Sequence, residues 1–216
     1  VEESSGGGVI RLGQSSTPST AYSYIPSNDE AGGDIWFGYK YDYTHPRWET
    51  YSNYGFMTVV HELGHALGLK HPGCYSSSDE APYASSATDA LQYSIMSYRS
   101  YPGAGLTTFP GGTSYPQTPM MYDIAAVQYM YGANFNYNSG DTTYAFSPSD
   151  TKIFRTVWDG NGIDTYDASA YNTGVILQLE PGEWSTLGES QLADLGNGVK
   201  APGSVANALL YQNDAR

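Results

Sequence analysis

The chain has 216 residues, enough for one sizeable core with a small appended piece. Its formal charge of −13 argues against nucleic acid and anionic membrane surfaces as partners, and no apolar run approaches the roughly 20 residues needed to cross a bilayer. Only 14% of residues are charged, Tyr (21) and Gly (25) abound, and a single cysteine forbids an internal disulfide. This suits a loop-rich, secreted protein better than a cytosolic enzyme.

Val1-Glu2-Glu3-Ser4-Ser5 is no signal peptide. Val9 to Gly13 predicts a short strand around Arg11, and Ser15 to Ser19 a polar turn. Ala21-Tyr22-Ser23-Tyr24-Ile25 alternates and stops at Pro26, as an edge strand does. Asp34 to Tyr39 reads as a third strand, and Arg47 to Tyr54 as a polar connection. His45, just before Pro46, reads as a surface loop residue rather than a ligand.

A helix is predicted over 57–67, with Val59, Val60, Leu63, Ala66 and Leu67 as its inward side. It carries His61-Glu62-Leu63-Gly64-His65-Ala66-Leu67-Gly68-Leu69-Lys70-His71. Histidines four apart lie on one helical face, one turn above each other, so both imidazoles reach one metal ion. Gly68 supplies the left-handed residue that ends the helix and brings His71 back as a third ligand. Three imidazoles with one open position describe a catalytic zinc site, with Zn–N distances of about 2.0–2.1 Å. Glu62 sits beside the first ligand, within reach of a water at the metal. A structural zinc site would close the fourth position, usually with cysteines, and this chain has one. That residue, Cys74, reads as a tolerated loop residue. Residues 73–92 read as a surface excursion, and residues 101–119 as a Gly, Pro and Thr-rich loop walling the cleft. Met120, Ile124, Val127 and Tyr131 recur at helical spacing as core, with Asp123 in the first turn where a carboxylate suits the dipole.

The long H-E-x-x-H-x-x-G-x-x-H motif resembles that of the metzincin zinc proteases. Pro72 after the third histidine is similar to the serralysin branch, as are the Met-turn Ser94-Ile95-Met96-Ser97-Tyr98 and the stretch Asp123 to Asn134. The resemblance implies an α+β, zincin-like catalytic domain with a twisted mixed sheet, an active-site helix and a C-terminal helix, leading into the start of a calcium-binding β-solenoid. It divides the chain into a catalytic part, 1–134, and a calcium-binding connection, 135–216. The implied activity is secreted, zinc-dependent endopeptidase action on protein or peptide substrates by a monomer, without nucleic acid or membrane. Glu62 would be the general base, His61, His65 and His71 the zinc ligands, and Met96 the floor beneath them. Tyr98 would ligate zinc at rest and then bond the oxyanion. Ala21, Tyr22, Ser23, Tyr24 and Ile25 would form the edge that pairs with extended substrate.

The resemblance also implies calcium. Asn138, Gly140 and Thr142 would supply oxygens together with Asp159, Asn161, Gly162 and Asp164. A second calcium in the family uses a Thr-x-Glu pair, where this chain reads Ser204-Val205-Ala206 without the carboxylate. The family's domain opens with a strand, a backing helix and another strand. This chain is expected to begin after them, with Val1-Glu2-Glu3 as the tail of the second strand, and to stop at Arg216, where glycine-rich repeats would begin. The competing expectation is a non-catalytic, secreted calcium- and zinc-binding module; a third is a truncated remnant that does not fold.

Overall fold

The computed structural model describes residues 10–39 and 53–212. Its first sheet has the order β1-β3-β2, formed by β1 (Leu12–Ser15), β2 (Ala21–Ser23) and β3 (Ile35–Gly38). β1 runs parallel to β3, with Leu12 opposite Ile35. β2 runs antiparallel to it, with Tyr22 opposite Trp36, and is an edge strand as its pattern predicts. The strand expected over 9–13 is displaced. Arg11 is drawn instead to Asp34, its Nε donating to Oδ1 at 2.7 Å, so strand pairing starts at Leu12. Val9 and His45 lie outside the described residues.

Helix α1 (Tyr54–Ala66) starts three residues earlier than expected, because Asn53 caps it: its Oδ1 accepts from the Phe56 N–H at 2.7 Å. Gly68, at φ 96°, turns the chain out of the helix in a conformation costly for any residue with a Cβ. The helix has several inward faces. Ala66 and Val59 pack on Ile35 and Phe37 of the sheet. Val60 and Met57 pack on Ile95 and Met96. Its wholly buried stripe includes the polar Thr58, His61 and Glu62, and Leu63 is left 38% exposed. Leu63 therefore does not belong to the core, since the polar stripe beside it is the face turned toward the cleft.

Helix α2 (Met121–Tyr131) follows the loop, with Ala126 and Val127 against the Met96 cluster. Met120 is buried, but Tyr131 is exposed and donates its hydroxyl to the Leu67 carbonyl at 2.9 Å, so it ties two helix ends rather than filling core. Residues 89–92, expected on the surface, are buried, with Ala90 and Leu91 packed inside.

Short strands complete the chain: β4 (Thr143–Ala145), β5 (Arg155–Val157), β6 (Thr165–Asp167), β7 (Trp184–Ser185), β8 (Asp194–Gly196), β9 (Val199–Lys200) and β10 (Val205–Asn207). They form a mixed sheet β5-β10-β7, a parallel pair β4-β6 and an antiparallel pair β8-β9. Position 134 is no gap in packing. Leu91, Tyr115 and Met120 share a cluster with Phe154, Leu195 and Ala201. The Gln117 N–H donates to the Phe154 carbonyl at 2.8 Å, and its side chain accepts the Phe154 N–H at 3.0 Å. Burying Phe154 completely contributes roughly 1.5–3 kcal/mol, and its partners lie on both sides of that position. Among the described residues, no helix is long and apolar enough to cross a membrane.

Candidate metal centre

The three histidines converge. One ring nitrogen from each of His61, His65 and His71 lies within 4.8 Å of the others, the one such metal-capable cluster among the described residues. His65 Nε2 and His71 Nε2 are 3.1 Å apart. Each ring has its Nδ1 engaged with an acceptor. His61 donates to the Ile95 carbonyl at 2.9 Å, His65 to the Leu69 carbonyl at 2.8 Å, and His71 to Asp79 Oδ1 at 2.7 Å. These acceptors require the proton on Nδ1, which leaves every Nε2 lone pair for a metal.

Burial reinforces neutrality. It lowers the His61 pKa to about 3, helped by the neighbouring His65 and His71, and it lowers that of His65 as well. Burial also raises Glu62 to about 7. Glu62 Oε2 is buried without a hydrogen-bond partner. Such an orphaned oxygen is costly unless something polar meets it. Three convergent imidazoles beside it fit a catalytic zinc, which takes three protein ligands and leaves one position open.

Tyr98 is brought to the cluster. Its ring centroid is 4.5 Å from that of His71 and 5.7 Å from that of His61, and the residue stays 49% exposed. Burial of its hydroxyl, with the charges of Glu62 and Asp79, raises its pKa to about 12, so the phenol keeps its proton. Met96 is wholly buried beneath α1. A Cβ at Gly64 would lie 2.5 Å from Met96 Sδ, so a larger residue there would push the Met96 side chain aside. Cys74 is exposed and stands outside the imidazole cluster.

Four positioning groups were not legible as such. Asp79 accepts from His71, from the Tyr75 and Ser76 N–H groups at 2.8 and 2.6 Å, and from Ser76 Oγ. Burial opposes its ionisation, but those bonds outweigh it and hold the carboxyl well below the usual range. Tyr75 donates to Asp89, and Asp89 also accepts from Ser97 Oγ at 2.7 Å and Arg99 Nε at 3.1 Å. Asp123 serves less as a dipole partner than as a clamp. It accepts from Ser94 Oγ and the N–H groups of Ile95 and Met120, pinning the turn that holds Met96; burial raises its pKa to about 6. Only Asp123 carried a signal, its place in the first turn of a helix.

A cleft of about 320 Å3 opens beside His61, Glu62 and Tyr98. Ala21 of β2 borders it, and Leu106 to Pro110 form part of its wall, as the loop was expected to. Tyr24 prolongs the pairing, its N–H donating to the Asp34 carbonyl at 2.9 Å, whereas Ile25 is exposed beyond the strand. A larger cavity of about 550 Å3 lies among Tyr144, Trp158, Leu179 and Leu210. It holds none of the imidazoles, so the chemistry selects the smaller one.

The two acidic, glycine-rich segments also meet. Thr142 N–H donates to Asp164 Oδ1 and Ile163 N–H to Asp141 Oδ1, both at 2.9 Å, while Thr142 Oγ1 donates to the Gly140 carbonyl at 3.0 Å. Asp159 accepts from Tyr144 and from the Asn161 N–H, and Asn138 donates to the Tyr144 hydroxyl. Gly162, at φ 116°, backs onto the Gly140 carbonyl, where a Cβ would clash. Ser204-Val205-Ala206 is buried and supplies no carboxylate.

A family profile described as Metallo-peptidase family M12 matches residues 2–109, and one described as Peptidase M10 serralysin C terminal matches residues 121–213. The chain is 36% identical over 207 residues to a protein named Serralysin C from Dickeya chrysanthemi, covering 89% of this chain and 40% of that one. It is 35% identical over 238 residues to Metallopeptidase AprA of Pseudomonas marginalis, covering 99% and 50%. It is 35% identical over 217 residues to Serralysin of Proteus mirabilis, covering 90% and 43%. The chain thus spans half or less of the length of these curated relatives.

Proposed function

The chain belongs to the serralysin family of metallopeptidases, and from that premise we propose that it is a secreted zinc-dependent endopeptidase acting on protein or peptide substrates. One observation carries this reading: three imidazoles converge beside a buried carboxylate oxygen that has no partner. A module that merely held a metal would gain nothing from Glu62.

His61, His65 and His71 would hold the zinc. When bound, zinc supplies Lewis acidity and brings the pKa of water from about 15.7 toward ~7. Glu62 accepts the proton of the attacking water and delivers it to the leaving amine, a task suited to a carboxyl whose burial puts its pKa at about 7. The Tyr98 hydroxyl donates to the oxyanion that develops on the scissile carbonyl. Ala21, Tyr22 and Ser23, on an open sheet edge beside the cleft, pair with extended substrate, and Tyr24 and Ile25 continue that line.

In this reading, residues 1–134 form the catalytic part and 135–216 a calcium-binding connection toward a β-solenoid, acting as a monomer. Asn138, Gly140, Thr142, Asp159, Asn161, Gly162 and Asp164 hold one calcium; the contact between their two segments supports this. Calcium should then raise the melting temperature, and Asp164→Asn should remove that rise. An unchanged melting temperature would count against the site.

The test of the activity is hydrolysis of a quenched-fluorescent peptide library. Chelation should stop it and one equivalent of zinc restore it. No zinc-dependent cleavage would overturn the proposal.

A further inference from the structure

We infer that Asn197, at the tip of the β8–β9 hairpin, positions a wall of the candidate cleft and so sets how tightly the cleft holds an apolar side chain of a substrate. The substrate part of this inference rests on the endopeptidase reading above.

Asn197-Gly198 is the sequence of a two-residue hairpin turn, in which both residues are left-handed. They are so here, at φ 53° and 79°. A turn needs no more than these two. Yet the preceding Gly196 is left-handed as well, at φ 92°, and the strand pairing slips between Asp194 and Gly196. A bulge of this kind re-aims a side chain at the end of a ladder. Here that side chain is Asn197. Its Nδ2 donates to the Tyr101 hydroxyl at 3.2 Å and reaches Thr108 Oγ1 at 3.5 Å, partners 96 and 89 residues away in the chain. One carboxamide thus ties the start of the 101–119 loop to its lip.

The hairpin meets the same loop at three further points. The Gly111 N–H donates to the Asp194 carbonyl at 2.8 Å, and the Asp194 N–H donates to Ser114 Oγ at 2.9 Å. A Cβ on Gly196 would lie 2.7 Å from the Phe109 carbonyl oxygen, a main-chain atom that cannot swing aside. Glycine at 196 therefore serves a close approach to the wall as well as a turn.

The segment held this way belongs to the cleft. Leu106, Thr108, Phe109 and Pro110 line the cavity of about 320 Å3 that also reaches His61, Glu62 and Tyr98. Leu106 and Phe109 are 40% and 63% exposed, so the wall offers apolar surface that an apolar side chain would cover. A wall already in place gives that gain to binding, whereas a loose one spends part of it on its own ordering. Asn197 bonds the loop and not the imidazoles or Glu62. Its loss should therefore appear in KM and leave kcat alone.

Asn197→Gly is the discriminating variant, since glycine keeps the left-handed turn and only the carboxamide is lost. The zinc-loaded chain is assayed on peptides that carry Leu or Ala at a residue flanking the cleaved bond, on each side in turn. In the variant, KM for the Leu peptide should rise about 3- to 10-fold on one side, the worth of about one hydrogen bond. Its kcat, and KM for the Ala peptide, should stay near the parent values. Unchanged KM for every Leu peptide, or equal rises for Leu and Ala, would overturn the inference while the peptidase reading stands. A fall in kcat at constant KM, tracking a lower melting temperature, would show a merely structural role and also overturn it. If the parent chain cleaves no peptide, the peptidase reading fails instead, and amide hydrogen exchange still decides whether Asn197 holds the wall. Exchange at Thr108 and Gly111 should then be about 3- to 10-fold faster in Asn197→Gly than in the parent chain, and equal exchange would overturn the inference.

Discussion

Tyr75 lies face to face with Tyr98, ring centroids 4.9 Å apart and planes 16° from parallel. Tyr75 is fixed from behind, because its hydroxyl bonds Asp89, which also holds Ser97 and Arg99. Its backbone N–H bonds Asp79, the same carboxylate that orients His71. One loop therefore sets both a candidate metal ligand and the phenol beside it.

That stack makes Tyr98→Phe a clean substitution. The ring keeps its place between Tyr75 and His71, and only the hydroxyl is lost. We expect kcat to fall about 10²-fold, as for removal of one oxyanion donor, with KM and zinc content little changed. Steady-state kinetics with metal analysis decides this. An unchanged kcat would remove the oxyanion role.

Glu62→Gln keeps the shape of the site and removes the base. Loss of general acid–base catalysis is worth about 10²–10⁴-fold, so hydrolysis should nearly vanish. Zinc content, measured by mass spectrometry on the same sample, should stay at one per chain. A variant that hydrolyses at the parent rate would refute the assignment of Glu62.

Asp79→Ala should weaken zinc binding. His71 is the only one of the three rings oriented by a side chain rather than a backbone carbonyl, so it alone can be released without moving the main chain. Loss of such an outer partner costs about 10- to 100-fold in metal affinity. Asp79→Asn, which keeps an acceptor but loses the charge, should fall in between. Competition against a chromogenic chelator measures both.

The legible part of this site was the part fixed by local geometry. His61 and His65 share a face because a helix has 3.6 residues per turn, and Gly68 must turn because its φ of 96° is open to glycine. Asp79 was hidden because its bond to His71 spans eight residues of serine-rich loop, whose path no periodicity dictates. Asp89 was hidden in a stretch that reads as surface by composition, although its salt bridge with Arg99 and its bonds to Tyr75 and Ser97 draw it inside. Leu63 misled in the opposite sense, because a helix that serves a cleft buries polar residues on its functional face. Asp123 was placed correctly, but its main partners lie 28 and 29 residues away in the Met96 turn.

Acid should test the metal-free protein through two adjacent residues that act oppositely. His61 has its pKa lowered from 6.5 to about 3 by burial. Below pH 6.5 the unfolded chain takes up a proton that the folded chain refuses, so stability falls as pH drops from 6.5 toward 3, by about 1.4 kcal/mol per unit. Glu62 has its pKa raised from 4.5 to about 7 by burial. The folded chain binds that proton first, so its contribution grows as pH drops from 7 to 4.5 and fades as pH rises through 7. The two offset each other between about pH 6.5 and 4.5. Removing either should expose the other. Glu62→Gln should make the chelated protein markedly more acid-sensitive across that window, and His61→Gln less so. Urea midpoints of the chelated proteins at pH 7.5, 6 and 5 measure the slopes. Parallel slopes in all three proteins would mean that neither side chain is desolvated as the structure places it.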